Sequence, residues 1–433
     1  MMKKIGFFVE LKLLNGLDLI GIEHGNPGVG GTAYCILTVA DQLAKQKDQY
    51  EVHFYCLENL KVNPNIRQHV ISDEESAVRL AKEHHVDLYI FIAKKYFPNV
   101  YKAIDECQLP SIAWVHNFID YPIIDLLHKT KFIRRIVFVG QQHYDYYIDD
   151  KMINKATFIY NIVPPIKNPS RNLTDEKLVM YVGMLGPAKG FHILAKGWKR
   201  ILEAIPEAKL YVLGSATLYD RSLECGKYGL AEKNYEEQFM QHLIDENGEI
   251  MPSVEFCGSL GSEKEEIYER CYVGVANPSG VSETFCLSAV EMETRTIPVV
   301  SYNGKGLLDT VQNGCGGFLC NSGDEVAESV IKLLSDIDLN KNMGLRGKEF
   351  VDSSFNPDII MPKWIKVIDD AIMGRDAEIE FSHENMADCN KKLKYLLYLV
   401  KKHCAVFRLL PSVAYTNRYI RTTAKKILRI VRR

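Results

Sequence analysis

The chain has 433 residues, 47% hydrophobic and 25% charged, enough for two packed domains; this excludes a disordered chain and a small disulfide-stapled scaffold. Its net charge of −2 conceals an asymmetry, because residues 391–433 hold thirteen Lys and Arg and no Asp or Glu, leaving −15 on the preceding 390 residues. The eleven cysteines are scattered without a Cys-x-x-Cys pair, so they read as reduced thiols, and no run reaches the roughly eighteen apolar residues of a membrane span.

Lys3 and Lys4 precede an apolar run that Glu10 and Lys12 cut short, which favours a buried first strand over a secretory signal and, with the reduced thiols, a cytoplasmic location. From KKIGFFVE through EVHFYCL, DLYIFIA, SIAWVHN and RIVFVG to ATFIYNIV, β-branched and aromatic runs alternate with helical stretches such as 32–45 and 74–83. That alternation predicts a parallel sheet with helices on both faces, an α/β Rossmann-like domain over residues 1–165. The Pro- and Asn-rich segment 163–175 reads as a linker. A second alternation, KLVMYVG, AKLYVLG, SVEFCG, YVGVANP and TIPVVSY, predicts a second such domain over 176–352. Within it, 217–252 is longer than an ordinary connection and is expected to carry helix around 235–245. A helix holding Trp364 is expected to return to the first domain over 353–375, and a basic tail fills 385–433.

The first domain's GNPGVGGTAYCILTVADQLA admits three readings. A phosphate-binding G-x4-G-K-[ST] loop fits Gly25 to Thr32 except that Gly31 replaces the lysine; a dinucleotide fingerprint through Gly28, Gly30 and Ala33 starts some fifteen residues after the first strand instead of directly upon it. The preferred reading is a loop whose Gly30 and Gly31 bring backbone close to a ligand. His116 ends the strand SIAWVHN at the carboxyl edge, where open α/β sheets bind ligands; a lone histidine is more often structural.

In NPSGVSETFCLSAVEMETRTIPVV, residues 277–300, a strand ends in a loop and a helix is expected to begin near Thr284. Glu283 and Glu291 are then about 12 Å apart along the axis. One carboxylate suits sugar hydroxyls and the other a ribose, while the amides of Phe285, Cys286 and Leu287 at the helix start suit a diphosphate. The alternative is an acidic helix start followed by one solvated glutamate. No well-placed Asp-x-Asp metal motif occurs, Asp336 and Asp338 lying in a polar helical stretch.

This second block resembles the retaining glycosyltransferases of family 4. The Glu-x7-Glu of S-E-T-F-C-L-S-A-V-E carries the likeness most specifically, with MYVGMLGPAKGFHILAKGW, SVEFCGSLGSEKEEIYERCYVGV and NGCGGFLC agreeing in order. The resemblance implies a GT-B fold, two doubly wound domains facing a cleft, and a sugar moved with retention and without metal or other cofactor. It implies a nucleotide-diphosphate sugar donor, of hexose type, and a glycan or lipid-linked acceptor, as in cell-surface polysaccharide synthesis. It places His116, Glu283 and Lys189 in catalysis. Donor binding falls to Gly30, Gly31, Gly183, Lys189, Gly258, Thr284, Phe285, Cys286, Leu287 and Glu291. Met184 stands where the family has an arginine, so one diphosphate cation is missing or comes from elsewhere. An epimerase or phosphorylase on this fold, or a non-catalytic partner subunit, are the alternatives.

KKLKYLLYLVKKHCAVFRLL and RTTAKKILRIVRR mix apolar residues with cations and break at Pro411. Residues 391–433 can therefore lie on an anionic membrane surface, making the chain peripheral on its cytoplasmic face, or pack on the acidic body with a basic outer face. Nucleic acid is not expected, since no recognition motif accompanies the charge.

Overall fold

The two alternating blocks fold as two all-parallel sheets. The structure, a computed structural model, describes residues 2–11, 17–94, 96–215, 224–261, 263–420 and 423. The first sheet contains β1 (Lys3–Val9), β2 (Tyr50–Cys56), β3 (Ile66–Val70), β4 (Leu88–Ile92), β5 (Ser111–Val115), β6 (Ile133–Phe138) and β7 (Ala156–Phe158), in the order β3-β2-β1-β4-β5-β6-β7. The second contains β8 (Lys177–Val182), β9 (Ala208–Leu213), β10 (Val254–Gly258), β11 (Cys271–Val275), β12 (Val299–Tyr302) and β13 (Gly317–Cys320), in the order β10-β9-β8-β11-β12-β13. Helices cover both faces, so central strands such as LYIFI, SIAWV and CYVGV are buried throughout and read as unbroken apolar runs. In each sheet the strand order reverses once, between β1 and β4 and between β8 and β11, opening a crevice at the carboxyl ends.

The segment 163–175 joins the first sheet to the second and is anchored on the second domain. The buried Arg171 guanidinium donates to the carbonyls of Thr296, Cys271 and Tyr272 and to Asn340 Oδ1, and Asn172 N donates to Glu269 O. A fork of donors thus closes off orphan carbonyls of the second domain. In 217–252 the helix spans Lys233–Met240, shorter than expected, while 216–223 lies outside the described residues.

The helix Pro357–Met373 is specified locally. Asn356 caps its start by accepting from Asp358 N, Pro357 takes the first turn, and Gly374 ends it at φ 66°. Its buried face, Ile360, Met361, Trp364, Val367, Ile368 and Ala371, joins the core beneath the first sheet, where Trp364 meets Trp114 edge-on at 4.6 Å. That core is continuous with the second domain through Phe285 and Phe355, which pack with Tyr160 at 5.1–6.1 Å.

The helix Lys391–His403 packs on the first domain through Tyr395, Tyr398 and Leu399 together with two of its lysines. Lys391 forms a buried ion pair with Asp145 at 2.6 Å, and Lys394 lies 3.8 Å from the Tyr146 ring centre. Leu393 and Leu396 point outward, more than half exposed. The helix thus packs on the body, with Lys391 and Lys394 drawn inward by a buried carboxylate and a tyrosine ring while Lys392, Lys402 and His403 stay on the outer face. The segment RTTAKKILRIVRR lies almost wholly outside the described residues.

Candidate functional site

The second domain's crevice is built from the turns after β8 and β11. Gly190, at φ 74°, sits so close to the β11 loop that a Cβ there would meet Ser279 N at 2.6 Å. This contact brings the Lys189 turn against Asn277, and Ser279 Oγ ties both sides by donating to Ala188 O and Asn277 Oδ1. Lys189 Nζ then reaches Glu283 Oε2 at 2.7 Å, and Asn277 Nδ2 donates to the same oxygen at 2.8 Å. Glu283 is buried, whereas Lys189 keeps about a third of its side chain exposed. Asn277 adopts φ 39°, a strained conformation for a non-glycine residue that the bond to Glu283 helps hold.

Gly183 and Gly258 share the floor through Gly214: Gly183 N donates to Leu213 O, and Gly214 N to Gly258 O. Gly214 was missed by the sequence reading because it lies just past β9, outside any chemical motif. Its need for glycine is tertiary, since a Cβ there would overlap Gly183 O at 1.9 Å.

Glu291 stands apart from Glu283. Lys264 Nζ donates to its Oε2 at 3.3 Å and the Tyr268 hydroxyl at 3.4 Å. Lys264 was also missed; the signal was a lysine in the first turn of the helix Lys264–Arg270, where the dipole disfavours a cation unless a carboxylate faces it. Both signature glutamates thus carry a lysine partner.

The helix after Glu283 begins at Leu287 and runs to Glu293, three residues later than expected. Residues 283–286 form a pinned, non-helical segment instead. Thr284 Oγ1 donates to His116 O at 2.5 Å, Gly306 N donates to Glu283 O, and a Cβ at Gly306 would strike the Thr284 backbone at 2.2 Å. Phe285 and Cys286 therefore precede the helix. The Phe285 ring belongs to the interdomain core, and burial pushes the Cys286 thiol up to about 12, which removes it as a nucleophile.

The first domain closes over this segment. The loop is folded by Asn26, whose side chain accepts from Gly28 N and Val29 N and donates to Val29 O. A Cβ on Gly31, the first residue of the helix Gly31–Ala44, would meet Leu287 Cδ1 at 3.0 Å. Gly30 has φ −60°, so its position does not demand glycine conformationally. The Glu291 charge adds to burial in raising the Tyr34 hydroxyl pKa, so this helix faces Glu291. His116 packs 4.6 Å from Trp114; burial holds its pKa down to about 3, and its Nε2 has no protein hydrogen-bond partner. It is therefore a neutral imidazole. A further bond from Gln142 N to Asp309 Oδ2 joins the domains beside Gly140.

Residues 164–350 match the family model of glycosyl transferases group 1. The C-terminal domain is thus similar to the glycosyl transferases of group 1. The chain is 26% identical over 190 residues to the capsular polysaccharide biosynthesis glycosyltransferase CapM of Staphylococcus aureus, a match covering 43% of this chain and 44% of that protein. It is 24% identical over 395 residues to an uncharacterized glycosyltransferase of Haemophilus influenzae, covering 84% and 99% of the two. Among solved structures, Anabaena HepE in complex with UDP superposes with a TM-score of 0.62 at 15% identity over 85% of this chain and all of that one. Sucrose-phosphate synthase from Thermosynechococcus elongatus gives 0.64 at 16% over 86% and 99%. The chain has the GT-B fold, with both Rossmann-like domains accounted for. Matches to the first curated relatives span only about half of their length.

Proposed function

We propose that this GT-B chain transfers a hexose-type sugar from a nucleotide-diphosphate donor to a glycan or lipid-linked acceptor in cell-surface polysaccharide synthesis. The observation that carries the reading is the Lys189–Glu283 pair, fixed by Asn277 at the switch point of the second sheet beneath the glycine loop of the first domain. Departure of a diphosphate needs fixed positive charge at the phosphate, and Lys189 supplies it from a turn whose geometry is set before substrate arrives. Glu283 holds that ammonium in place and offers a carboxylate to sugar hydroxyls; Glu291 with Lys264 forms a second polar clamp suited to a ribose. Lys264 also adds a cation in a site where Met184 replaces the usual arginine. Neutral His116 fits a hydrogen-bonding role to the donor sugar. Retention and transfer without a metal complete the proposal, and HepE structures with UDP and UDP-glucose favour a uridine donor as the first to test.

The acceptor side and the tail extend the reading to a membrane. Leu393, Leu396, Val406, Phe407, Leu409 and Leu410 are each exposed on the basic tail, apolar side chains suited to lipid beside cations suited to anionic headgroups. We infer peripheral attachment on the cytoplasmic face, consistent with the lack of any membrane-crossing helix among the described residues.

The deciding experiment incubates the chain with uridine, guanosine and adenosine diphosphate sugars, with chelator, and with lipid-linked and oligosaccharide acceptors. Acceptor-dependent release of nucleoside diphosphate is expected, with Lys189→Ala lowering kcat roughly 10²- to 10³-fold. Binding of a nucleotide sugar without turnover by any acceptor favours the partner-subunit alternative. Unchanged turnover in Lys189→Ala refutes the site.

A further inference from the structure

Three histidines meet on one face of the first sheet. His53 lies in β2, His69 in the edge strand β3, and His84 directly follows the helix Glu74–Glu83. The parallel register sets Tyr55 opposite His69, so His53 and His69 are diagonal neighbours on adjacent strands. His84 is fixed by the helix end, its N–H donating to Leu80 O. His53 Nδ1 is 3.0 Å from His69 Nε2, the His69 and His84 ring centres are 4.2 Å apart, and one nitrogen from each ring lies within 4.8 Å of the others. Ligand nitrogens around a tetrahedral zinc are about 3.4 Å apart, so small rotations of the half-buried His69 and His84 complete the geometry.

The outer ring nitrogens of His53 and His84 are also engaged. His53 Nε2 is 2.8 Å from Glu51 Oε1, which fixes the proton there and turns the Nδ1 lone pair inward. His84 Nδ1 is 3.1 Å from the Tyr55 hydroxyl, leaving Nε2 as its ligand atom when Nδ1 carries the proton. Metal-binding histidines need this carboxylate or oxygen support, whereas a packing cluster does not. Burial lowers the pKa of His53 and, together with the neighbouring histidines, that of His69, which suits neutral ligands.

We propose that His53, His69 and His84 bind one divalent transition-metal ion, zinc foremost, with Glu51 and Tyr55 holding the outer nitrogens and solvent providing the remaining ligand. The ion clips the edge strand β3 to β2 and to the end of the helix. The site shares no residue with the cleft described above, so it stands or falls independently of the transferase reading and assigns no metal to the transfer step.

The full chain, free of any histidine tag and stripped with chelator, is titrated with Zn²⁺ by calorimetry and with Co²⁺ by visible absorption. One equivalent is expected, with Co²⁺ bands of a nitrogen and oxygen site lacking thiolate charge transfer. His69→Ala and His84→Ala, both at half-buried positions, are expected to abolish uptake, and Glu51→Gln to weaken it roughly 10- to 100-fold. Circular dichroism and sugar-transfer assays identify any variant that fails to fold. No uptake by the unaltered chain, equal uptake by the folded histidine variants, or a thiolate band from the eleven cysteines each overturns the proposal.

Discussion

Asp309 shows how one buried group couples the two domains to pH. Burial pushes its carboxyl up to about 8, and Oδ2 accepts from Gln142 N of the other domain at 2.9 Å. A raised carboxyl pKa favours the protonated native state. Its stabilising contribution is complete below the unfolded value of 3.8 and is lost once pH has risen through about 8. Asp309→Asn keeps the acceptor and removes the titration, so its melting temperature relative to the parent is expected to rise from pH 4 to 9. Parallel melting curves at all pH values refute this. Gly190 is a second test at this scale. Gly190→Ala imposes a left-handed backbone cost of about 1–2 kcal/mol and drives a methyl into Ser279 N, so thermal denaturation is expected to show lower stability and kinetics a lower kcat. Lys189, Glu283 and Glu291 could be singled out in the sequence because their motif is local. Lys264 and Gly214 are harder to read, since each gains its role from a neighbour on another element, Glu291 and Gly183, while Asn277 gains its role from Glu283 in its own loop.

At the scale of elements, caps and periodicity made the helix Pro357–Met373 readable: Asn-Pro at one end, Gly at the other, and an apolar stripe between. What it packs against is a tertiary matter, resolved by Trp114 beneath the first sheet. Trp364→Ala is expected to cost about 3–5 kcal/mol in chemical denaturation, with Trp364→Phe retaining much of the stability. A loss under about 1 kcal/mol contradicts the burial. The helix Leu287–Glu293 begins later than its sequence pattern predicts, because the Thr284 side chain is held by His116 O and Gly306 lies against its backbone. Local propensity yielded there to contacts made by residues far along the chain.

For the whole molecule, the proposed membrane attachment turns on the tail. Lys391 and Lys394 are spent on Asp145 and Tyr146, so the proposed membrane contact would rest on outward apolar residues with the remaining cations. Replacing Leu393, Leu396 and Leu409 with Ser is expected to reduce co-sedimentation with anionic vesicles severalfold while leaving transfer to a water-soluble acceptor intact. Equal sedimentation of parent and variant removes the membrane reading. Truncation near Asp388 is a poorer test, since it strands Asp145 buried without its cation.

The sequence alone determined two wound domains, the strands that form them, and the glutamates of the second crevice, because hydrophobic periodicity and short-range motifs act within one or two elements. The tertiary structure decided which charges face each other, where the helix after Glu283 starts, that Lys391 and Lys394 point inward, and that three histidines from separate elements share one space. Those outcomes depend on register, burial and long-range contact, which no stretch of neighbouring residues encodes.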